Sequence, residues 1–253
     1  MDYSLFKQEI HDIIKIDLNC YKEQQMHRRI LQWISRHDLI DYSGLAQALK
    51  TDQEHRKKFL DYLTINTSHF FRDPSVFAYI EQEVLPTIKK NSNVRIWSAG
   101  CSIGAEIYSI AILAEEQRLS AATFLATDID QFSIEQAKEA VYRQNQINYV
   151  PEHLLRKYFI SKNNHYELKK SITEQVTFVK QNLLTDIFEG NFDLILCRNV
   201  FIYFTSESQQ KLIAKFVNSL KKGGYFVVGS AEHIINPSQF GLARVSYCIY
   251  QKQ

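Results

Sequence analysis

The sequence predicts an α/β protein: a doubly wound, mostly parallel sheet preceded by a small all-helical domain. Three observations carry this reading. The first 64 residues show helical spacing of apolar side chains, hold one glycine, Gly44, and lack proline. From Val94 onward, short apolar runs alternate with helical stretches through short loops, the order of parallel βαβ units. Between the first such run and its helix lies a tight turn with two glycines, Gly100 and Gly104.

Composition bounds the rest. Over 253 residues, 45% are hydrophobic and 23% charged, enough for one large domain or a medium one with a small companion. A net charge of +2 is too small to argue for nucleic acid, and none is expected as a partner. The apolar runs are strand-sized and Met1-Asp2-Tyr3-Ser4 does not resemble a signal peptide, so a cytoplasmic protein without membrane insertion is expected. Cys20, Cys101, Cys197 and Cys248 are scattered without a C-x-x-C pair. Neither a disulfide framework nor a metal site is expected, and the eight histidines do not pair at ligand spacing.

The helical part spans 1–64. Leu5, Phe6, Ile10, Ile13 and Ile14 repeat at helical spacing, as do His27, Ile30, Leu31 and Ile34. Thr51 to Glu54 has the form of a capping box opening a helix through Phe59, Leu60 and Leu63. With Ile30, Leu31 and Ile34 inward, Lys22, Arg29 and Arg36 fall on the far side of their helix and Arg28 at its edge. Such a face suits an acidic partner, or is only solvated. Ile65 to Pro74 breaks the pattern: Asn66, Ser68 and Arg72 either face a cleft at a domain junction or serve packing around Phe70 and Phe71. The second domain is expected over 65–253, with a small insertion at 151–175.

In that domain the expected strands are 94–97, 123–127, 176–179, 192–197 and 225–228, with 245–250 closing the sheet. Helices are expected at 107–114, 134–141 and 206–220, the last ended by Gly223-Gly224. Ligands in such sheets lie beyond the carboxyl ends of the strands. The glycine loop, Asp128, Asn182 and Arg198-Asn199 each follow a strand and so share that edge. Gly100 permits positive φ, and Gly104 is expected to let backbone approach a ligand. The loop lacks the third glycine of a dinucleotide fingerprint, which disfavours a pyrophosphate. Asp128, 24 residues after Gly104, stands where an acid accepts both ribose hydroxyls of a nucleoside.

Together these pieces resemble the chemotaxis receptor methyltransferases, the CheR family. The matching motifs are Asn66-Thr67-Ser68-His69-Phe70-Phe71-Arg72, Trp97 to Ser109, Ala126-Thr127-Asp128-Ile129-Asp130, Asn182-Leu183-Leu184, and Cys197-Arg198-Asn199-Val200-Phe201-Ile202-Tyr203-Phe204. The resemblance implies the S-adenosylmethionine-dependent methyltransferase fold, S-adenosylmethionine as cofactor with S-adenosylhomocysteine as product, and methyl transfer to glutamates on the cytoplasmic helices of chemoreceptors. It assigns Asn66, Ser68, Arg72 and Glu106 to the methionine end, Asp128 to the ribose, and Asn182 with Leu183 to the adenine. Arg198, Asn199 and Tyr203 would line the pocket near the methyl group, with Arg198 or Arg72 holding the substrate carboxylate. Arg28, Arg29 and Arg36 match the helix that the family lays on its receptor.

The sequence departs from the family in three places. Ser68 replaces a threonine, Ala105 and Ile107 replace a glutamate and a proline, and Phe159 to Ile172 is short and lacks the glycine of the hairpin that grips a receptor's tethering pentapeptide. A tether-independent enzyme is therefore expected. Chemistry fits what the chain lacks, since a glutamate of pKa ~4.3 is already ionised and attacks a sulfonium methyl without a general base. Rival readings are a methyltransferase of small molecules or RNA, an NAD-dependent oxidoreductase, and a receptor-binding module without activity.

Overall fold

The computed structural model describes residues 1–64, 68–119 and 121–253. Two compact units make up the chain: Met1–Asn66 with Tyr203–Gln210, and Thr67–Ile202 with Lys211–Gln253.

The first unit holds α1 (Tyr3–Ile14), α2 (Glu23–Arg36), α3 (Tyr42–Thr51) and α4 (Gln53–Thr64). Each apolar stripe turns inward: Phe6, Ile10 and Ile14 from α1, Met26, Ile30, Trp33 and Ile34 from α2, Leu45 and Leu49 from α3, Phe59 and Leu63 from α4. Asp2 and Asp41 cap α1 and α3 by accepting the amides of Leu5 and Gly44. The expected Thr51 cap of α4 is wrong by one residue. Asp52 accepts the amides of Glu54 and His55, while the Thr51 hydroxyl donates back to the Gln47 carbonyl inside α3. The residues 203–205 run beside 20–22 in this unit, with the Lys22 amide on the Tyr203 carbonyl at 2.8 Å and the Thr205 amide on that of Cys20 at 3.0 Å.

The second unit begins with α5 (Pro74–Tyr79), a wide helical turn at Ile80–Val84, and α6 (Leu85–Ile88). Then follow β1 (Val94–Ala99), α7 (Ala105–Glu116), β2 (Ala122–Asp128), α8 (Gln131–Glu139) and β3 (Val141–Tyr142). Next come α9 (Glu152–Tyr158), β4 (Phe159–Lys162), β5 (His165–Leu168), α10 (Lys170–Thr173) and β6 (Val176–Lys180). The chain ends with β7 (Phe192–Cys197), α11 (Ser206–Ser219), β8 (Leu220–Val228), β9 (Leu242–Ser246) and β10 (Ile249–Lys252). A seven-stranded sheet has the order β6-β2-β1-β7-β8-β10-β9. Its first five strands are parallel, and β10 runs antiparallel to both neighbours. β1 and β7 are nearly continuous apolar runs, as strands covered on both faces must be. α7 is correspondingly buried from Ile107 through Ala114.

Two sequence expectations change here, and a third gains its shape. The last helix ends at Ser219, and Gly223-Gly224 lie inside β8, where Gly223 has φ +78° and the register against β7 jumps. The expected strand 245–250 is two antiparallel strands, β9 and β10, turning at Tyr247-Cys248. The expected insertion at 151–175 is built of regular elements: β4 and β5 form a hairpin whose turn holds Asn163 at φ +31°, and β3 completes a second sheet in the order β3-β5-β4. Asparagine tolerates positive φ, so the lack of glycine did not prevent the hairpin. Among the described residues no helix is long and apolar enough to cross a membrane.

Candidate active site

Because β1, β2, β6 and β7 run parallel, the residues after their last positions share one edge of the sheet. That edge holds Gly100, Asp128, Asn182 and Arg198-Asn199. Asn66 lies outside the described residues, so its assignment has no geometry here.

The glycine loop folds back on β2: the amides of Gly100 and Cys101 both donate to the Thr127 carbonyl, at 2.8 and 2.9 Å. Gly100 has φ +75°, and a Cβ there would stand 2.7 Å from Val200 Cγ2. Gly104 has φ +79°, and a Cβ would meet Ala137 at 3.0 Å, Tyr108 at 3.1 Å and Phe178 at 3.2 Å. Positive φ and close protein packing both favour glycine at this position. Ser102 adopts φ +49°, donates its amide to Asp128 Oδ2 at 2.7 Å, and keeps a buried hydroxyl with no protein partner.

Asp128 is 7% exposed. Its Oδ1 accepts the Asp130 amide at 3.0 Å. Burial pushes its carboxyl up to about 6, against the pull of these backbone donors. Asp130 caps α8, accepting the amides of Phe132 and Ser133 and the Ser133 hydroxyl. One acid of the Asp-Ile-Asp turn therefore builds the helix start, and the other faces the edge.

Phe70 is fully buried edge-on to Tyr142 and Phe159. The Phe71 amide donates to the Ser109 hydroxyl at 3.0 Å. Phe71 and Asp73 both take positive φ, +51° and +62°, so Arg72 is held between two left-handed residues. Ser68 and Arg72 are half-buried on this turn.

Arg198 is a buried hub. Its Nη2 donates to Asp73 Oδ2 at 2.6 Å and to the Arg72 carbonyl at 3.0 Å, and its Nη1 to Glu106 Oε2 at 3.3 Å. Its side chain is 2% exposed. Glu106 also accepts the Ser98 hydroxyl at 2.7 Å, and Asp73 accepts that of Ser230 at 3.0 Å. Arg198, expected with Arg72 as the alternative to hold a substrate carboxylate, here ties two acids and a carbonyl together and so positions Glu106 and the Arg72 turn.

Asn199 takes φ +60°, and its amide donates to Glu232 Oε2 at 2.8 Å. Glu232, 5% exposed, also accepts the amides of Gly229 and Ile202. Burial raises its carboxyl above the usual range despite these donors. A Cβ on Gly229 would lie 2.7 Å from Glu232 Oε2 and 2.8 Å from the Asn199 nitrogen, so only glycine admits this clamp. Sequence reading missed Glu232, Asp73 and Ser98. An acid just past β8 obeys the same edge rule that selected Asp128, and that was the available signal.

Asn182 caps its own loop: Oδ1 accepts the Leu184 amide at 3.0 Å, and its amide donates to Asp186 at 2.9 Å, while Leu183 is buried. Tyr203 ends the turn Phe201–Tyr203 and is grouped with the first unit. On α2, Arg28 and Arg36 are exposed as expected, but Leu31 is exposed and Trp33 takes its place inside. Arg29 is half-buried, donating to the Tyr62 carbonyl with its guanidinium 4.5 Å above the Tyr62 ring. Burial lowers its pKa from the usual value. Among the described residues no cluster of His, Cys, Asp and Glu is fit to hold a metal ion.

The edge suits an adenosyl sulfonium. Asp128 keeps lone pairs to spare beyond its two amide bonds, an unused Ser102 hydroxyl lies beside it, and Glu106 and Asp128 are acids that could offset positive charge.

Comparison with known proteins agrees. Residues 1–64 match the CheR methyltransferase all-alpha domain, and residues 66–249 the CheR methyltransferase SAM binding domain. A chemotaxis protein methyltransferase of Listeria innocua is 37% identical over a 257-residue alignment that covers 99% of this chain and 97% of its own length. That of Listeria monocytogenes is 36% identical with the same coverage, and chemotaxis protein methyltransferase 1 of Pseudomonas aeruginosa is 30% identical, covering 97% and 95%. The chain therefore belongs to the CheR methyltransferase family, and it is an S-adenosylmethionine-dependent protein-glutamate methyltransferase of chemotaxis.

Proposed function

We propose that this enzyme works in the cytoplasm, esterifying glutamate side chains on the cytoplasmic helices of chemoreceptors, and that the carboxyl edge of the large sheet is where it does so. The observation that carries the site assignment is the meeting of the glycine loop with Asp128: Ser102 is turned to positive φ so that its amide holds the acid in place.

S-adenosylmethionine supplies an electrophilic methyl on a sulfonium, with S-adenosylhomocysteine as product. Asp128 accepts from the ribose, Asn182 and Leu183 border the adenine, and Ser68, Arg72 and Glu106 hold the methionine end. Asn66 is assigned with them through the family resemblance alone, as is Tyr203 at the methyl end. Asn199, fixed by Glu232, lines the same edge. Arg198 serves by orienting Glu106 and Asp73. The acceptor glutamate arrives ionised, so these residues need only align the reactants and exclude water. The exposed Arg28 and Arg36 of α2 suit an acidic helical partner, whose approach they would steer.

Recognition is proposed to be independent of a tethering pentapeptide, supported by a hairpin of only four residues per strand closed by Asn163-Asn164. Pull-down on that immobilised peptide should retain no enzyme; tight retention would refute this part. For the activity, incubation with radiolabelled S-adenosylmethionine and chemoreceptor-rich membranes should put base-labile label on receptor glutamates. Base-stable label, or label on another class of molecule, would contradict the proposal.

A further inference from the structure

Lys215 lies on α11, whose neighbouring residues Leu212, Ile213, Phe216 and Val217 are buried. Its side chain does not extend into solvent as a helical lysine ordinarily does. The ammonium donates to the Leu183 carbonyl at 2.7 Å, to that of Asp186 at 2.8 Å and to that of Leu184 at 3.5 Å. It also stands 4.1 Å above the Phe188 ring. Three carbonyls from one four-residue stretch converge on a single cation, although the stretch belongs to the loop after β6 and the lysine to a helix after β7.

The loop is anchored at its ends, where the Gln181 amide donates to the Asp128 carbonyl at 2.8 Å and Phe188 packs edge-on to Trp97, and by the buried Leu183; its middle is open. Thr185, Asp186 and Ile187 are exposed, Ile187 at 93%. Its internal bonds are local: the Asp186 amide on the Asn182 carbonyl at 2.9 Å, the Asn182 amide on the Asp186 carboxylate, and the Gln181 side-chain amide on the Ile187 carbonyl. Such bonds shape the turn, and Lys215 joins its carbonyl side to α11. Converging carbonyls repel one another, and an ammonium with three donors relieves this where water would only partly do so.

We propose that Lys215 is the positioning residue of the base-binding loop: it holds Asn182 and Leu183 pre-ordered, so that affinity for the adenosyl group and preference for adenine over other purines depend on it. This rests on the reading that Asn182 and Leu183 border the adenine. Burial lowers the lysine's pKa and the facing Asp186 raises it. The charge is therefore held in a half-buried place, where its loss is felt.

The test compares Lys215→Met, which keeps the aliphatic stem, with Lys215→Arg and Asn182→Ala in the full chain. S-adenosylhomocysteine and its inosine counterpart are titrated by calorimetry, and exchange of the amides of 183–187 is followed by mass spectrometry. Lys215→Met should weaken S-adenosylhomocysteine roughly tenfold, the scale of losing charged hydrogen bonds to carbonyls. It should also shrink the preference over the inosine compound, speed exchange in the loop, and raise the cofactor KM with little change in receptor KM. Lys215→Arg should restore most of the affinity. If Lys215→Met does not fold, Lys215→Gln, which keeps donors without charge, should show the same losses at smaller size. Unchanged affinity and exchange in Lys215→Met while Asn182→Ala weakens binding would overturn the clamp alone. Unchanged affinity in both would overturn the placement of adenine at this loop, and the clamp's role with it.

Discussion

The Ser102 amide donates to Asp128 at 2.7 Å, joining the loop after β1 to the end of β2 across 26 residues of chain. The bond places a buried acid at the sheet's carboxyl edge and needs a backbone turn that serine adopts only at a cost. Replacing Asp128 by Ala should weaken S-adenosylmethionine binding by about 1 to 3 kcal/mol, the cost of removing a hydrogen-bond partner. Calorimetry on the variant measures this, and undiminished affinity would remove Asp128 from the ribose site.

The same residue gives a pH dependence with two opposite signs. Its folded pKa of about 6 lies above the ~3.9 of an unfolded Asp. In the free enzyme the group therefore contributes stability that is full below ~3.9 and lost as pH rises through about 6. Ribose hydroxyls donate to the ionised form, so cofactor affinity should instead fall as pH drops through about 6. Titrations of S-adenosylhomocysteine across that range, repeated with Asp128→Asn, should show the acid limb only in the wild type.

Arg198→Met should destabilise the fold strongly. It leaves Asp73 and Glu106 without their shared cation in a site where the arginine is 2% exposed, and breaking a buried pair this way costs about 3 to 5 kcal/mol. Denaturant unfolding is the measurement. A variant that stays fully stable but fails only in receptor turnover would return Arg198 to the substrate carboxylate.

Glu232→Gln replaces an acceptor of three backbone amides by a group with one acceptor and one donor. A loss of about 1 to 3 kcal/mol in unfolding free energy is expected, with reduced turnover because Asn199 loses its anchor. Turnover unchanged in a folded variant would show that the Asn199 loop holds its shape without the clamp.

How much of this was legible depended on the kind of pattern involved. Parallel strands and their order of use showed in β1 and β7 because strands buried on both faces are continuous apolar runs. Asp128 and Asn182 showed because a strand end in such a sheet is a place as well as a sequence position. The neighbours of Gly104, Ala137 and Phe178, come from α8 and β6, and sequence does not display a contact made by folding. The partners of Arg198, Asp73 and Glu106, likewise lie far off in the chain. On α2, a three-residue stripe could be drawn with Leu31 or with Trp33, and the packing of Trp33 against Phe59 and Tyr62 decided it.

Burial separates Arg29, half-buried, from Arg28 and Arg36, exposed on the same helix. Charge reversal at the exposed Arg28 and Arg36 should raise the receptor KM and leave cofactor affinity intact. Arg29→Ala should instead lower stability, by about 0.5 to 2 kcal/mol for the lost cation–π contact with Tyr62. Receptor kinetics and thermal unfolding on both variants distinguish these effects, and equal receptor kinetics in wild type and reversal would make the face merely solvated.

A crystal structure of the enzyme with S-adenosylhomocysteine should place the ribose hydroxyls on Asp128, the adenine beside Asn182 and Leu183, and the amino acid end toward Glu106 and Arg72, all along the carboxyl edge of the sheet. A ligand seated elsewhere, with Asp128 keeping only its Ser102 and Asp130 amides, would contradict this placement.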